Sequence, residues 1–254
     1  MQTWKTTIVP PQWKASGISI KRFMPDWDYE LMDDAANEAF VIKYFPDFFF
    51  WFKAFQYPIQ RADAIRYMWF YVKGGIYMDL DLELLKPLDP LFMINRDIYV
   101  IKSSIMRNVY TNAFIAAKPR LTVMLQCLED MKAPYAYWHV GKHLQVVNST
   151  GPNMFTDAIT KTLANGDKTK VGEISDTAIV TCSICDTPTN KMSDKSAYCR
   201  VLGGSSWTGN DTKLLTALYC NRYPLLMILI TVVVCVVVLS IWRYKRVMRR
   251  RKEE

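Results

Sequence analysis

The sequence is sparing with several features, and each scarcity narrows what the chain can be. Only two of its 254 residues are histidine, His139 and His143, and both read as structural or surface residues rather than metal ligands. Cysteine occurs six times. Cys182 and Cys185 form a close pair, but no second close pair follows, which argues against a zinc site. Cys182, Cys185, Cys199 and Cys220 are instead expected as two disulfides in an oxidising compartment or as free thiols. Cys127 falls in a helical pattern and Cys235 in an apolar run. There is no internal repeat, and the opening MQTWKTTIVPP lacks the apolar leader of a secretory signal.

Positive charge is also scarcer than the total suggests. The formal net charge is +8, yet seven Lys/Arg against two Glu lie between Arg243 and Glu254. The rest of the chain is close to balanced, so basicity belongs to the tail and no nucleic-acid partner is expected. What is plentiful is apolar: half the residues are hydrophobic and 13% are aromatic, enough for one core and against disorder.

Leu225 to Trp242 is an uncharged run whose only polar side chains are Thr231 and Ser240. As a helix it spans about 27 Å, close to the hydrocarbon thickness of a bilayer. We therefore expect three segments: a catalytic domain at 1–222, a single-pass membrane helix at 223–242, and a basic tail at 243–254. A cytosolic tail would place the domain in the lumen of the Golgi or another secretory membrane. With no leader at the start, either a preceding piece is missing or the protein is tail-anchored against that tendency. Asn148-Ser149-Thr150 and Asn210-Asp211-Thr212 are glycosylation triplets of a kind common by chance.

Along the chain, Met1 to Thr7 reads as the end of a strand, Gly17 to Phe23 alternates like a second, and Tyr29 to Met32 like a short edge strand. Asp33-Asp34 can cap a helix to about Phe45. Phe48 to Phe55 is aromatic enough for a helix or turn in the core or on a membrane surface. Arg61 to Lys73 repeats Ala62, Ile65, Trp69 and Val72 at helical spacing, which predicts a one-faced helix ended by Gly74-Gly75. A short buried strand, Ile76 to Leu80, and a loop, Glu83 to Pro90, follow. Further strands are expected at Asp97 to Lys102 and Ile174 to Val180, a buried segment at Asn112 to Ala117, and helices at Pro119 to Lys132 and about Asn153 to Leu163. Gly203 to Trp207 is a glycine-rich turn. The alternation predicts an α/β fold with a mostly parallel sheet and ligands at the carboxyl ends of its strands.

Asp79-Leu80-Asp81 ends the strand that Gly74-Gly75 begins. Two carboxylates there suit Mg²⁺ or Mn²⁺ shared with substrate phosphates. The pattern alone is weak. Upstream, Asp63 and Arg66 share one face of the preceding helix; that pairing reads equally as an ordinary intrahelical ion pair or as part of a site.

QTWKT, PIQRADAIRY and KGGIYMDLDLELLKPLD, with TNAFIAAKP and VVNSTGPNMFTDAI further on, resemble the Asp-x-Asp glycosyltransferases of family 32. That family includes the fungal inositol phosphorylceramide mannosyltransferases, the initiating α-1,6-mannosyltransferase and the globotriaosylceramide-type galactosyltransferases. The likeness spans roughly residues 1 to 165 and thins to GGSSW beyond. It implies a GT-A type nucleotide-sugar-binding fold and retaining transfer of a hexose. By position, Asp63 would bond sugar hydroxyls, Arg66 sugar or phosphate, and Asp79 ribose or sugar, while Asp81 would ligate Mn²⁺ or Mg²⁺. Asp79 and Ser205 are further metal candidates. Trp4, Gly74, Gly75, Asn153, Ser205 and Trp207 complete the substrate-binding candidates. The sequence departs from the family in having Met1 where a His precedes the Gln, and in lacking a late His before the Ser-Trp element. The resemblance points to mannose from GDP-mannose as donor and a membrane lipid such as inositol phosphorylceramide as acceptor. A hexosyltransferase for protein-linked glycans or another glycolipid, and a catalytically inactive tethered binding protein, stay open.

Overall fold

The computed structural model describes residues 1–103, 108–133, 141–175, 197–204 and 207–221, together with 224, 226, 231–233 and 236. The chain divides into two compact units, Met1–Gly209 and Asn210–Glu254. The second contributes one described helix, Asn210–Cys220. The expected span at 223–242 and the tail after it lie, but for a few positions, outside the described residues. Among the described residues no helix is long and apolar enough to cross a membrane.

The first unit is mixed α/β. Its central sheet has the order β3-β6-β5-β7, with β3 at Gly75–Met78, β5 at Ile98–Lys102, β6 at Tyr110–Ala117 and β7 at Val171–Ser175. Strand β6 runs antiparallel to both β3 and β5, and only β5 and β7 are parallel. The expected mostly parallel sheet is therefore corrected. Residues 103–109 alone join β5 to β6, too few for the crossover that a parallel pair needs. Two small pairs flank this sheet: β1 (Gln2–Thr3) parallel to β2 (Leu31–Met32), and β4 (Leu82–Leu84) antiparallel to β8 (Cys199–Val201). The segment expected as a loop after Leu82 thus begins as a strand, because Leu82 and Leu84 point into a core and Glu83 pairs with Arg200.

The strand period sorts the sheet side chains onto two faces. Tyr77, Ile98, Val100, Ile115 and Ala117 join one core with α4 (Pro58–Val72), α5 (Thr122–Asp130) and α7 (Pro152–Ala164). Met78, Ile101, Phe114 and Ile174 join another with β4 and α1 (Lys14–Phe23). Helix α1 occupies the stretch that alternates like a strand. Ser16 and Ser19, three apart on one helical face, bond Leu82 O and Leu84 N of β4, while Ile18 points to solvent. The alternation was incidental to a helix whose inward face is polar. Helix α4 is buried nearly all round, from Gln60 to Phe70, rather than along one stripe. Helix α2 (Asp34–Tyr44) is capped by Asp33, which accepts from Ala36 N at 2.8 Å. The aromatic stretch forms α3 (Phe49–Ala54), and Lys142–Ser149 forms α6, which the sequence pattern did not announce.

Gly74 ends α4 at φ +68°, and a Cβ there would lie 2.8 Å from Pro119. Cys127 and Cys199 are free and buried. Cys220 is disulfide-bonded. Of the two alternatives expected for the late cysteines, the free thiol holds at Cys199, which packs beneath β4, and the bridge at Cys220; Cys182 and Cys185 lie outside the described residues.

Candidate functional site

The Asp-x-Asp segment is a turn pinned from four sides. Met78 ends β3, Asp79 N donates to Ala113 O of β6, and Leu82 N closes the turn onto Asp79 O at 3.1 Å. The Gln2 side-chain amide donates to Met78 O and Asp79 O. Gln2 is itself held by Ser16 and by the Tyr29 hydroxyl. Leu202 N donates to Asp81 O at 2.7 Å, which brings the glycine-rich late segment against the turn. Two carboxylates at i and i+2 share this corner because the strand ends just before them and the chain turns.

Behind the turn lies a buried polar network on α4. Arg66 Nη2 sits 3.0 Å from Asp63 Oδ1 and 3.5 Å from Asp79 Oδ1. Its Nη1 donates to Asn112 O, its Nε to Ala62 O, and its guanidinium lies 4.2 Å from the centre of the Tyr77 ring. Asp63 accepts from Thr150 Oγ1 at 2.7 Å and from Asn112 Nδ2 at 3.1 Å. The Tyr77 hydroxyl donates to Asp79 Oδ1 at 2.6 Å. Every carboxylate oxygen of Asp63 is thus satisfied, as a buried charge requires.

The acids are held above their ordinary range. Burial, opposed by Arg66 and Thr150, pushes Asp63 up to about 6. Burial raises Asp79, opposed by Arg66 and the Tyr77 hydroxyl. Burial and then the Asp79 charge push Asp81 up to about 7. Arg66 is raised: burial works against its charge, but Tyr77, Asp63 and Asp79 outweigh it.

A cavity of about 280 Å³ opens in front of the turn. Arg66, Tyr77, Asp79, Leu80 and Asp81 line one side, and Trp4, Trp13 and Trp207 supply aromatic walls. Trp4 and Trp13 meet edge to face at 5.1 Å, and Trp13 Nε1 donates to Gly203 O at 2.9 Å. Trp207 stacks on His143 with 5.4 Å between ring centres and 12° between planes. Lys5 and Lys142 also line the cavity.

Of the residues singled out from sequence, Trp4, Arg66, Asp79, Asp81 and Trp207 meet here. Asp63 is close behind but sealed by its three donors, and does not line the cavity. Gly74 and Gly75 lie at the other end of β3 and line a separate cavity with Met24 and Trp27. At Gly74 the close approach of Pro119 leaves no room for a Cβ. Asn153 is spent on Asn148 at 2.9 Å and stays outside the cavity. Ser205 lies outside the described residues. Trp13 and Lys142 escaped the sequence reading, since each reaches the site from a distant segment with no motif of its own, while His143, read there as structural or surface, stacks on Trp207. In the triplet at Asn148, Thr150 is fully buried and its hydroxyl serves Asp63.

Residues 10–97 match the family model described as a glycosyltransferase sugar-binding region containing the DXD motif. The chain is 32% identical over 217 residues to the mannosyl phosphorylinositol ceramide synthase SUR1 of Saccharomyces cerevisiae, covering 85% of this chain and 53% of that protein. It is 34% identical over 156 residues to inositol phosphoceramide mannosyltransferase 2 of Schizosaccharomyces pombe, covering 59% and 42%. The chain spans about half the length of the curated relatives it matches. Among solved structures, the PaToxG glycosyltransferase aligns with a TM-score of 0.48 at 19% identity, over 65% of this chain and 69% of that one.

Proposed function

We propose that this chain, which carries the glycosyltransferase sugar-binding region containing the DXD motif, is the catalytic part of a metal-dependent, retaining hexosyltransferase of GT-A type. It moves mannose from GDP-mannose to a lipid acceptor such as inositol phosphorylceramide, at a secretory-pathway membrane to which residues 223–242 anchor it. The observation that carries this reading is Asp81. Its carboxyl is half-buried at the cavity wall beside Asp79, and among the described residues no Lys, Arg or His forms an ion pair with it. The fungal relatives' names supply the sugar and the lipid.

The donor set fits a divalent cation. Asp81 and Asp79 offer hard oxygen ligands, and among the described residues no cluster of three His, Cys, Asp or Glu could hold a metal by itself. Mn²⁺ and Mg²⁺ accept one or two carboxylates when substrate phosphates complete the shell. When bound, the ion supplies charge neutralisation for a diphosphate leaving group. Arg66 holds Asp79 in place and faces the cavity with what remains of its positive charge. Asp63 acts through Arg66: pinned by Thr150 and Asn112, it fixes the guanidinium and balances it, and is a positioning residue. Trp4, Trp13 and Trp207 exclude water from the reacting bond and offer stacking faces to a nucleoside.

The test is direct. The purified full chain with Mn²⁺ is offered a panel of nucleotide sugars and inositol phosphorylceramide. Mannosyl transfer from GDP-mannose is expected. No transfer or donor hydrolysis with any sugar overturns the enzyme reading, and transfer only from another donor overturns mannose.

A further inference from the structure

The aromatic stretch before α4 divides its side chains in an unexpected way. Phe48 and Phe52, one helical turn apart, are buried in the core beside α4. Phe50 is 71% exposed and Trp51 38%, and they pack edge to face on each other at 5.5 Å outside that core. Opposite them, α2 leaves Ile42 52% exposed. The ion pair Lys53–Glu38, at 2.9 Å, ties the end of α3 to the first half of α2. Phe50 precedes Lys53 by about one turn, and Ile42 follows Glu38 by about one turn. The pair ties the helix that exposes Phe50 and Trp51 to the helix that exposes Ile42. Lys43 lies over Tyr44, and Lys53 lies over Phe49, as a cationic fringe.

Neighbouring exposed aromatic side chains mark a candidate contact surface. Its composition is selective: Trp, Phe and Tyr with Lys at the margin is what a membrane–water interface favours, since the rings sit at headgroup depth and the ammonium groups meet lipid phosphates. The same sequence carries the uncharged run 225–242, of bilayer length as a helix. The face is linked to the cavity along the chain. Helix α3 leads through Phe55–Tyr57 into α4, whose Pro58, Ile59 and Ala62 line the cavity, and Gln145 of α6 bonds Gln56 in that link at 2.9 Å.

We propose that the face formed by Ile42, Phe50 and Trp51 dips into the lipid headgroup layer and seats the cavity mouth at the bilayer surface, where a lipid acceptor is presented. The acceptor half of this statement rests on the function proposed above; the membrane contact does not.

Two measurements separate them. The full chain is reconstituted in phosphatidylcholine vesicles containing phosphatidylinositol, with Phe50→benzoylphenylalanine in one sample and Ile18→benzoylphenylalanine in another. Ile18 is exposed on α1, which packs against the other core. Photolysis should yield lipid adducts at position 50 and none at 18. No lipid adduct at 50, equal adducts at both positions, or adducts only to protein overturns the proposal, with no turnover required. In the second, Phe50→Ser with Trp51→Ser should lower transfer to vesicle-embedded acceptor by about tenfold or more, the loss expected for two partly buried aromatic anchors. Donor hydrolysis in detergent should be unchanged. Equal loss in both assays would mark the pair as structural and overturn the interfacial role.

Discussion

Gln2 and Asp79, 77 positions apart, are joined by a hydrogen bond from the Gln2 side-chain amide to the Asp79 carbonyl at 3.3 Å, alongside a second from the same nitrogen to Met78 at 3.2 Å. The second residue of the chain therefore clamps the turn that carries both acids. Gln2→Ala strands the Tyr29 hydroxyl and Ser16 as well as the turn carbonyls. A stability loss of about 1–3 kcal/mol in urea unfolding is expected, with a larger proportional fall in kcat than in donor affinity, because the displaced group is the Asp79–Asp81 pair.

Asp81→Asn should reduce transfer by at least about a hundredfold, the scale for losing a principal electrostatic group. The metal-free protein should melt no lower than the parent near neutral pH, since the variant removes a carboxylate that burial and Asp79 already disfavour. Undiminished transfer would remove Asp81 from the metal site.

The raised acids make stability depend on pH with a defined sign. An unfolded Asp titrates near about 3.9, whereas Asp63 and Asp81 titrate at about 6 and about 7 in the fold. Between those limits the folded chain binds more protons than the unfolded one, so its stability falls as pH rises. The contribution is fully present below the unfolded pKa and lost as pH rises through the folded values. Asp97, Asp167 and Glu173 are lowered and act with the opposite sign, at the acid end of the scale. The melting temperature without metal should therefore decline from about pH 5 to about pH 8. Mn²⁺ with a nucleoside diphosphate should recover it at the upper end and have little effect at the lower. A flat profile would show that these acids ionise freely.

Gly74→Ala tests whether that glycine belongs to the backbone or to a ligand. With φ at +68° and Pro119 in the way, the variant should lose about 1–3 kcal/mol. At a temperature where it remains folded, donor KM should match the parent.

His143→Ala removes the stacking partner of Trp207. Donor KM should rise about three- to tenfold, the worth of one aromatic pair, and His143→Phe should restore it. An unchanged KM in the alanine variant would mean that Trp207 holds its place unaided.

Local signals carried part of this site. Asp63, Arg66, Asp79 and Asp81 stand within one helix, one glycine break and one short strand, and the structure brings them within a few bonds of each other. Asp33 announced α2, and the glycines announced the end of α4. Where reading failed, the deciding contacts were distant. Gly17 to Phe23 alternates, yet Ser16 and Ser19 are claimed by β4 and the stretch is helical. The sheet is mostly antiparallel because of one short connection that no residue pattern marks. Asp63 looked like a substrate ligand by position, and only Thr150 and Asn112, far along the chain, turn it inward. Lys142 and His143 have no motif at all.

The bond from the Trp13 indole to Gly203 spans 190 positions, and Leu202 N reaches Asp81 O. The acids near position 80 are synthesised early, but the wall opposite them comes from the last part of the first unit. Contacts of such sequence separation form late and slowly. Until the segment around Gly203 has been made, a nascent chain lacks the residues that wall the cavity opposite its acids.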